Sequence, residues 1–478
     1  MRHLPAALAA VVVLAIAAFA VTQARGADGG EPADAPAGGG VGPITYRPCP
    51  EDVKMKSLRC ARMRMPLERA DLSMGTIPIM FAVRPPSDGS KPVKGTIFAV
   101  EGGPGYGSIN SAPYYRNMLG PGILQRYRLV TVDMRGTGHS QAIDCPGLQK
   151  ATVSDSKGVD QCAKQLGDTF GSYRTSAAAD DIDAVRAALG IDEITIYGDS
   201  YGTFLAQSYA YRHPDHVKAV ILDSAYPLHG ESPWYPSLTR HGVKSMSTVC
   251  RRSPQCEPGA RRRLDEVVRL VRKTNRGAGP LLDAIGSAGY IPAPPAYRRI
   301  NRAVAAYLEG DPKPYKSLTA PFDGTYGNYR AYSRGQELTV SCNDYPMLWK
   351  KHSSFQERRE QLQRAVREHS NEPFAPFTAR EVALESFSSY RECRRWPQPT
   401  DLYEPPAPRG ASAPDVPTLV IAGELDNVTS PYEAAKVVKA FPNARRRVVR
   451  NAGHVPSLYG GRFPAEGRVR KFVRRFSG

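Results

Sequence analysis

Five short apolar runs recur along this chain, each ending in a turn that carries glycine or a carboxylate. They are "KGTIFAV" from Lys94, "YRLVTVD" from Tyr127, "EITIYGDS" from Glu193, "VKAVILDSAYP" from Val217 and "VPTLVIAGELD" from Val416; "RRRVVRNAGH" from Arg445 completes the series. Runs of this length that are apolar at nearly every position predict strands buried on both faces. Between them lie helical patterns. "TSAAADDIDAVRAALG" has Thr175 or Ser176 as its cap, Ile182, Val185 and Leu189 on one face and Gly190 as its stop. "YGTFLAQSYAYRH", "SPYEAAKVVKAF" and "AEGRVRKFVRRF" follow later strands. Strands alternating with helices predict an α/β fold, with a mostly parallel sheet covered on both faces. From Leu228 to Asp415 the alternation stops and Arg-rich helical patterns with Pro-containing loops take over. The expected organisation is a core over 45–227, a mostly helical insertion over 228–415, and the rest of the core over 416–478. Thr45 to Pro86 reads as a β extension at the front of the sheet.

Arg2 and His3 precede "LPAALAAVVVLAIAAFAVTQA". A positive start, an apolar stretch and small residues predict a secretory signal peptide over 1–27, with an uncleaved anchor as the alternative. The Gly/Ala/Pro-rich stretch up to residue 44 reads as a disordered linker. Eight cysteines suit an exported protein, because disulfides persist outside the cytoplasm. They fall as near neighbours, Cys49 with Cys60, Cys145 with Cys162, Cys250 with Cys256 and Cys342 with Cys393, although eight cysteines allow 105 connectivities. The net charge of +18 comes from scattered arginines, without zinc-finger spacing or a basic stripe interleaved with aromatics. That pattern describes a cationic surface and gives no support to nucleic acid as partner.

In a parallel α/β sheet, ligands bind beyond the carboxyl ends of the strands, and four segments there carry chemistry. "GDSYG", Gly198 to Gly202, stands at a strand-to-helix junction, the setting of a G-x-S-x-G nucleophile elbow. Ser200 needs a base to take its proton. His454, in "NAGHVPS" after the final strand, is the candidate. The base needs a carboxylate to hold its tautomer; Asp426 ends "TLVIAGELD", with Glu424 as competitor. An acyl-transfer oxyanion needs two backbone N–H donors. Tyr201 supplies one in this reading. The turn "GGPG" supplies the other, from Gly102 or Gly103, because Pro104 has no N–H; Gly103 is the preferred donor.

"EGGPGYGS", "VDMRGTGHS", "IYGDSYGT", "AGELDNVTSP" and "NAGHVPS" together resemble the exported actinobacterial tripeptidyl-aminopeptidases, relatives of the proline iminopeptidases. The resemblance runs from about Pro48 to the C-terminus. It implies an α/β-hydrolase fold, a helical cap formed by the insertion, and a secreted serine peptidase that releases short N-terminal pieces through an acyl-enzyme. It implies no metal and no organic cofactor, peptides as substrates, and no integral membrane domain once the signal is removed. Glu101 departs from the histidine that proline iminopeptidases usually carry before Gly-Gly. Enzymes of this group bind the substrate's free amine with acidic cap residues, for which Asp344 and Glu337, and also Glu392, are available. Secreted carboxylesterases share the scaffold and are the alternative, with small esters as substrates; a silent hydrolase-fold binding protein is a third reading.

Overall fold

The computed structural model describes residues 44–150, 156–229, 232–290, 292–320, 326–384, 389–459 and 465–478. The expected signal peptide and most of the linker lie outside these residues. Eight strands form one sheet: β1 (Arg59–Pro66), β2 (Thr76–Arg84), β3 (Gly95–Val100), β4 (Tyr127–Val132), β5 (Ile194–Asp199), β6 (Val217–Asp223), β7 (Thr418–Gly423) and β8 (Ala444–Val449). Their spatial order is β1-β2-β4-β3-β5-β6-β7-β8. β1 and β2 pair antiparallel with each other, and β2 with β4; from β4 to β8 every pairing is parallel.

The apolar runs become strands because both faces are covered. Successive side chains point to opposite faces. Phe98, Val130, Ile196, Val220 and Val420 join one core layer, while Ile97, Leu129, Tyr197, Ile221 and Leu419 join the other. The second layer is closed by α1 (Ala112–Leu119) and by the C-terminal helix Ala465–Phe476. The first is closed by α2 (Thr175–Ala188), α3 (Tyr201–Arg212) and the helix Pro431–Ala440.

The front of the sheet is tied to the core by Arg135, which is fully buried. Its guanidinium donates to both carboxylate oxygens of Asp181 on α2 at 2.7 and 2.8 Å, and to the carbonyls of Leu67 and Ser172. A buried guanidinium is tolerated only when its donors are satisfied in this way.

β6 and β7 are neighbours in space but far apart in sequence. The stretch between them contains α4 (Pro236–Arg251), α5 (Gly279–Gly286), α6 (Ala293–Leu308) and α7 (Arg334–Asp344), with shorter helices between and after them. Among the described residues this stretch contributes no strand to the sheet. Disulfides join Cys49–Cys60, Cys145–Cys162, Cys250–Cys256 and Cys342–Cys393.

The start of α2 differs from its sequence reading. Neither Thr175 nor Ser176 is the cap: Arg174 holds that position with extended backbone, and its side chain makes no capping bond. The carboxylate of Asp344, at the end of α7, takes over the capping. It accepts the backbone N–H of Thr175 at 2.7 Å and the Thr175 hydroxyl at 2.5 Å. A carboxylate at a helix N-terminus satisfies an orphan donor and meets the positive end of the helix dipole.

Candidate active site

Ser200 lies between the last residue of β5 and the first of α3, with φ 50° and ψ −124°. A non-glycine residue at positive φ is strained and needs surroundings that over-determine it. The flanking glycines are required by close approach. A Cβ on Gly198 would stand 2.1 Å from the carbonyl oxygen of Gly202, and one on Gly202 would stand 2.4 Å from that of Val100.

The elbow presents Ser200 Oγ 2.8 Å from Nε2 of His454. Nδ1 of the same ring lies 3.0 Å from Oδ2 of Asp426. Asp426 is fully buried in the loop between β7 and the helix Pro431–Ala440. Its Oδ1 accepts the backbone N–H groups of Val428 at 2.9 Å and Thr429 at 3.0 Å, and the Thr429 hydroxyl donates to Oδ2 at 2.9 Å. Burial raises the pKa of this carboxyl, but His454 and these donors outweigh it and hold the group below its ordinary value. Glu424 sits elsewhere. It forms a two-pronged ion pair with Arg252, both contacts at 2.8 Å, and accepts the N–H of Asn451. The hydrogen bond from Arg252 lowers its pKa to about 2.

The glycine turn after β3 packs directly on the elbow. A Cβ on Gly102 would stand 2.7 Å from Cβ of Ser200, so a side chain there would displace the serine. The N–H of Gly102 is occupied, donating to Oε1 of Glu101 at 3.1 Å. Gly103, the next residue of the turn, is exposed and has φ +116°. Tyr201 opens α3, where the first N–H groups of a helix have no partner within it.

Glu101 also receives the Tyr115 hydroxyl at 3.1 Å, and the same oxygen lies 3.2 Å from the Asp199 carboxylate. Burial first, and then the charge of Glu101, push Asp199 well above the ordinary carboxylate range. The residue that departs from the proline-iminopeptidase pattern therefore shares Tyr115 with the carboxyl of Asp199, the residue before Ser200.

The three acidic residues expected to be available for a substrate amine have different surroundings. Asp344 is corrected: besides Thr175 it takes a hydrogen bond from Tyr403 at 3.3 Å, and it is buried where α7 meets α2. Its oxygens are committed to closing that seam, so they do not present a free carboxylate to a ligand. Glu337 is ion-paired with Arg334 and also acts electrostatically on Tyr106 and Tyr290. The Tyr290 ring meets the His454 imidazole edge-on, with centroids 5.3 Å apart. Glu392 is buried, 3.9 Å from Arg334. Sequence reasoning passed over Thr429, Tyr290, Tyr115 and Asn427. Tyr290 and Tyr115 stand in no motif, and Asn427 and Thr429 stand inside "AGELDNVTSP" without a signature of their own.

A family model described as alpha/beta hydrolase fold matches residues 95–252, and one described as TAP-like protein matches residues 380–475. The tripeptidyl aminopeptidase of Streptomyces lividans is 25% identical over 402 residues, covering 75% of this chain and 71% of its own length. The serine protease Hip1 of Mycobacterium tuberculosis is 29% identical over 208 residues; the match covers 38% of this chain and spans 39% of Hip1. The proline iminopeptidase structure from Mycobacterium smegmatis aligns over 87% of this chain and 98% of its own, at 15% identity and a TM-score of 0.38. The parallel sheet and the match over residues 95–252 give the chain an α/β-hydrolase fold, and residues 380–475 match the TAP-like model.

Proposed function

We propose that this chain is a secreted serine hydrolase that removes short N-terminal pieces from peptides through an acyl-enzyme. The observation that carries the reading is the continuous contact from Ser200 Oγ to His454 Nε2 at 2.8 Å and from His454 Nδ1 to Asp426 at 3.0 Å. In the forward step Ser200 Oγ attacks the scissile carbonyl and its proton passes to Nε2. Asp426 keeps the proton of Nδ1 in place and stabilises the imidazolium. The oxyanion forms beside the N–H groups of Tyr201 and Gly103. His454 then returns its proton to the leaving amine, and a water, activated by the same base, releases the acyl group.

Peptides are the favoured substrates because relatives carry the names tripeptidyl aminopeptidase, serine protease and proline iminopeptidase. Glu337, which pairs with Arg334, is the cap acid assigned to the substrate's ammonium in this reading, since Asp344 is engaged elsewhere. Export is supported by the four disulfides. The engagement of Asp344 favours a second reading, a carboxylesterase with the same triad, because an esterase needs no acid for an amine.

Aminoacyl and tripeptidyl amides, their N-acetylated forms and short acyl esters, assayed side by side, decide between the two. The aminopeptidase reading expects N-acetylation to lower kcat/KM at least about a hundredfold, roughly 2.7 kcal/mol of transition-state stabilisation. Equal hydrolysis of blocked and free peptides, with esters preferred, overturns it in favour of the esterase.

A further inference from the structure

The cap is bonded to the loops that carry Asp426 and His454, and one side chain makes two of those bonds. Asn427, adjacent to Asp426 and fully buried, donates from Nδ2 to the carbonyl of Leu238 on α4 at 3.1 Å. The same nitrogen donates to the carbonyl of Ile285 on α5 at 3.0 Å. The acceptors fix the amide's orientation, since a flipped amide would set oxygen lone pairs against two carbonyls. Directly after α5 the chain turns through 287–290, and there the Gly289 carbonyl accepts the backbone N–H of His454 at 2.8 Å. The fit is tight. A Cβ on Gly289 would stand 1.9 Å from Asn427 Oδ1 and 2.8 Å from its backbone nitrogen, and one on Gly453 would stand 2.2 Å from the Gly289 oxygen.

These contacts form one path from Asn427 through Ile285 and Gly289 to the backbone of the base. Resting on the serine-hydrolase reading, we infer that Asn427 is a positioning residue: its amide clamps α4 and α5 to the acid loop and, through the Gly289 turn, holds His454 in line with Asp426 and Ser200. Two buried carbonyls share one donor nitrogen, so deleting the amide removes one hydrogen bond from each, although the Ile285 carbonyl keeps the N–H of Ser287. The cap turn then keeps its bond to His454 but loses the side-chain tie to the acid loop, and alignment of the triad is what suffers. A substrate contact would behave differently, because its loss would raise KM.

The test uses Asn427→Ala and the isosteric Asn427→Asp in the full-length chain. Each is assayed on a short neutral acyl ester, for kcat, KM and the acid limb of the kcat/KM pH profile. Proton NMR of the low-field His454 Nδ1–H resonance supplies a readout that needs no turnover. The clamp expects Asn427→Ala to lower kcat about 10- to 100-fold with KM changed less than about threefold. It also expects the acid limb to move to lower pH as the imidazolium loses its hold on Asp426, and the low-field resonance to broaden or shift. Asn427→Asp should fall below Asn427→Ala near neutral pH, because its carboxylate opposes both carbonyls; a side chain that merely fills space would give the reverse order.

An alanine variant with kcat within twofold of wild type and an unmoved acid limb overturns the inference, as does an aspartate variant equal to wild type. If Asn427→Ala does not fold, Asn427→Asp and Gly289→Ala, which pushes the turn away from the other side, carry the same expectations. Failure of wild type to turn over esters or react with a fluorophosphonate would instead count against the serine-hydrolase reading. The NMR comparison would still judge the clamp.

Discussion

Asp426→Asn isolates what the carboxylate does for His454, because the surrounding donors dictate how the new amide sits. Oδ1 of Asp426 receives two backbone N–H groups, from Val428 at 2.9 Å and Thr429 at 3.0 Å. Only the amide oxygen can occupy that position, so the NH2 group must take the place of Oδ2, facing His454 Nδ1 at about the present 3.0 Å. Nδ1 then becomes an acceptor and the ring proton moves to Nε2. Nε2 faces Ser200 Oγ at 2.8 Å and can no longer take its proton. The corresponding tautomer error in serine proteases costs about 10⁴ in kcat, or roughly 5.4 kcal/mol. Glu424→Gln is the control. It breaks a partly exposed ion pair with Arg252, a change worth no more than about 1 kcal/mol of stability, and kcat/KM should stay within about threefold. The assay is kcat/KM for a short acyl ester near pH 7, with thermal melting to show that both variants fold. An Asp426→Asn enzyme keeping more than about 1% of wild-type activity, or a Glu424→Gln enzyme falling further, would refute the reasoning.

Ser200→Ala should lose on the order of 10⁶ in kcat while melting like wild type; retention of a tenth of the activity would make Ser200 the wrong nucleophile. Gly198→Ala sets a methyl 2.1 Å from a backbone oxygen that cannot retreat, and should lower stability by about 1–3 kcal/mol in a denaturant melt; an unchanged midpoint would contradict the elbow's packing. His139 bridges Asp133 at 3.0 Å and Asp52 at 3.1 Å; burial opposes its charge, but the two carboxylates prevail and raise its pKa to about 9. Its stabilisation, on the order of 1–3 kcal/mol, is complete below the unfolded value near 6.5 and is lost as pH rises through about 9. The stability gap between wild type and His139→Gln should therefore narrow from pH 6 to 9.5, and a constant gap would show that the imidazolium contributes nothing.

What could be read from the residues was whatever sits at the end of a strand. Ser200, Asp426 and His454 each close an apolar run, and a parallel sheet gathers such ends on one edge, so their meeting followed from local pattern plus topology. Asp344 failed for the opposite reason. A carboxylate near a cysteine in a helical stretch looks the same in sequence whether it faces a cleft or another helix, and here it caps α2 from a distant part of the chain. Asn427 was overlooked because its partners, Leu238 and Ile285, precede it by well over a hundred residues and offer only carbonyls, which every residue has. The choice between Asp426 and Glu424 likewise depended on Arg252, whose reach across from α4's end no local pattern records.

The interruption between β6 and β7 also sets an order in time. A chain emerges from its N-terminus and tends to fold in that direction. The nucleophile and the glycine turn can be complete while the strands that carry acid and base are still missing. β7 must then find β6 across the whole insertion, a pairing of high sequence separation and therefore slow. By then the helices α4 to α6, on which the acid and base loops rest, have already been made. A nascent or truncated chain accordingly exposes a serine with no base beside it. The contact between serine, base and acid is complete only once the strands at Thr418–Gly423 and Ala444–Val449 are in place, so the proposed activity is the last property of the fold to be assembled.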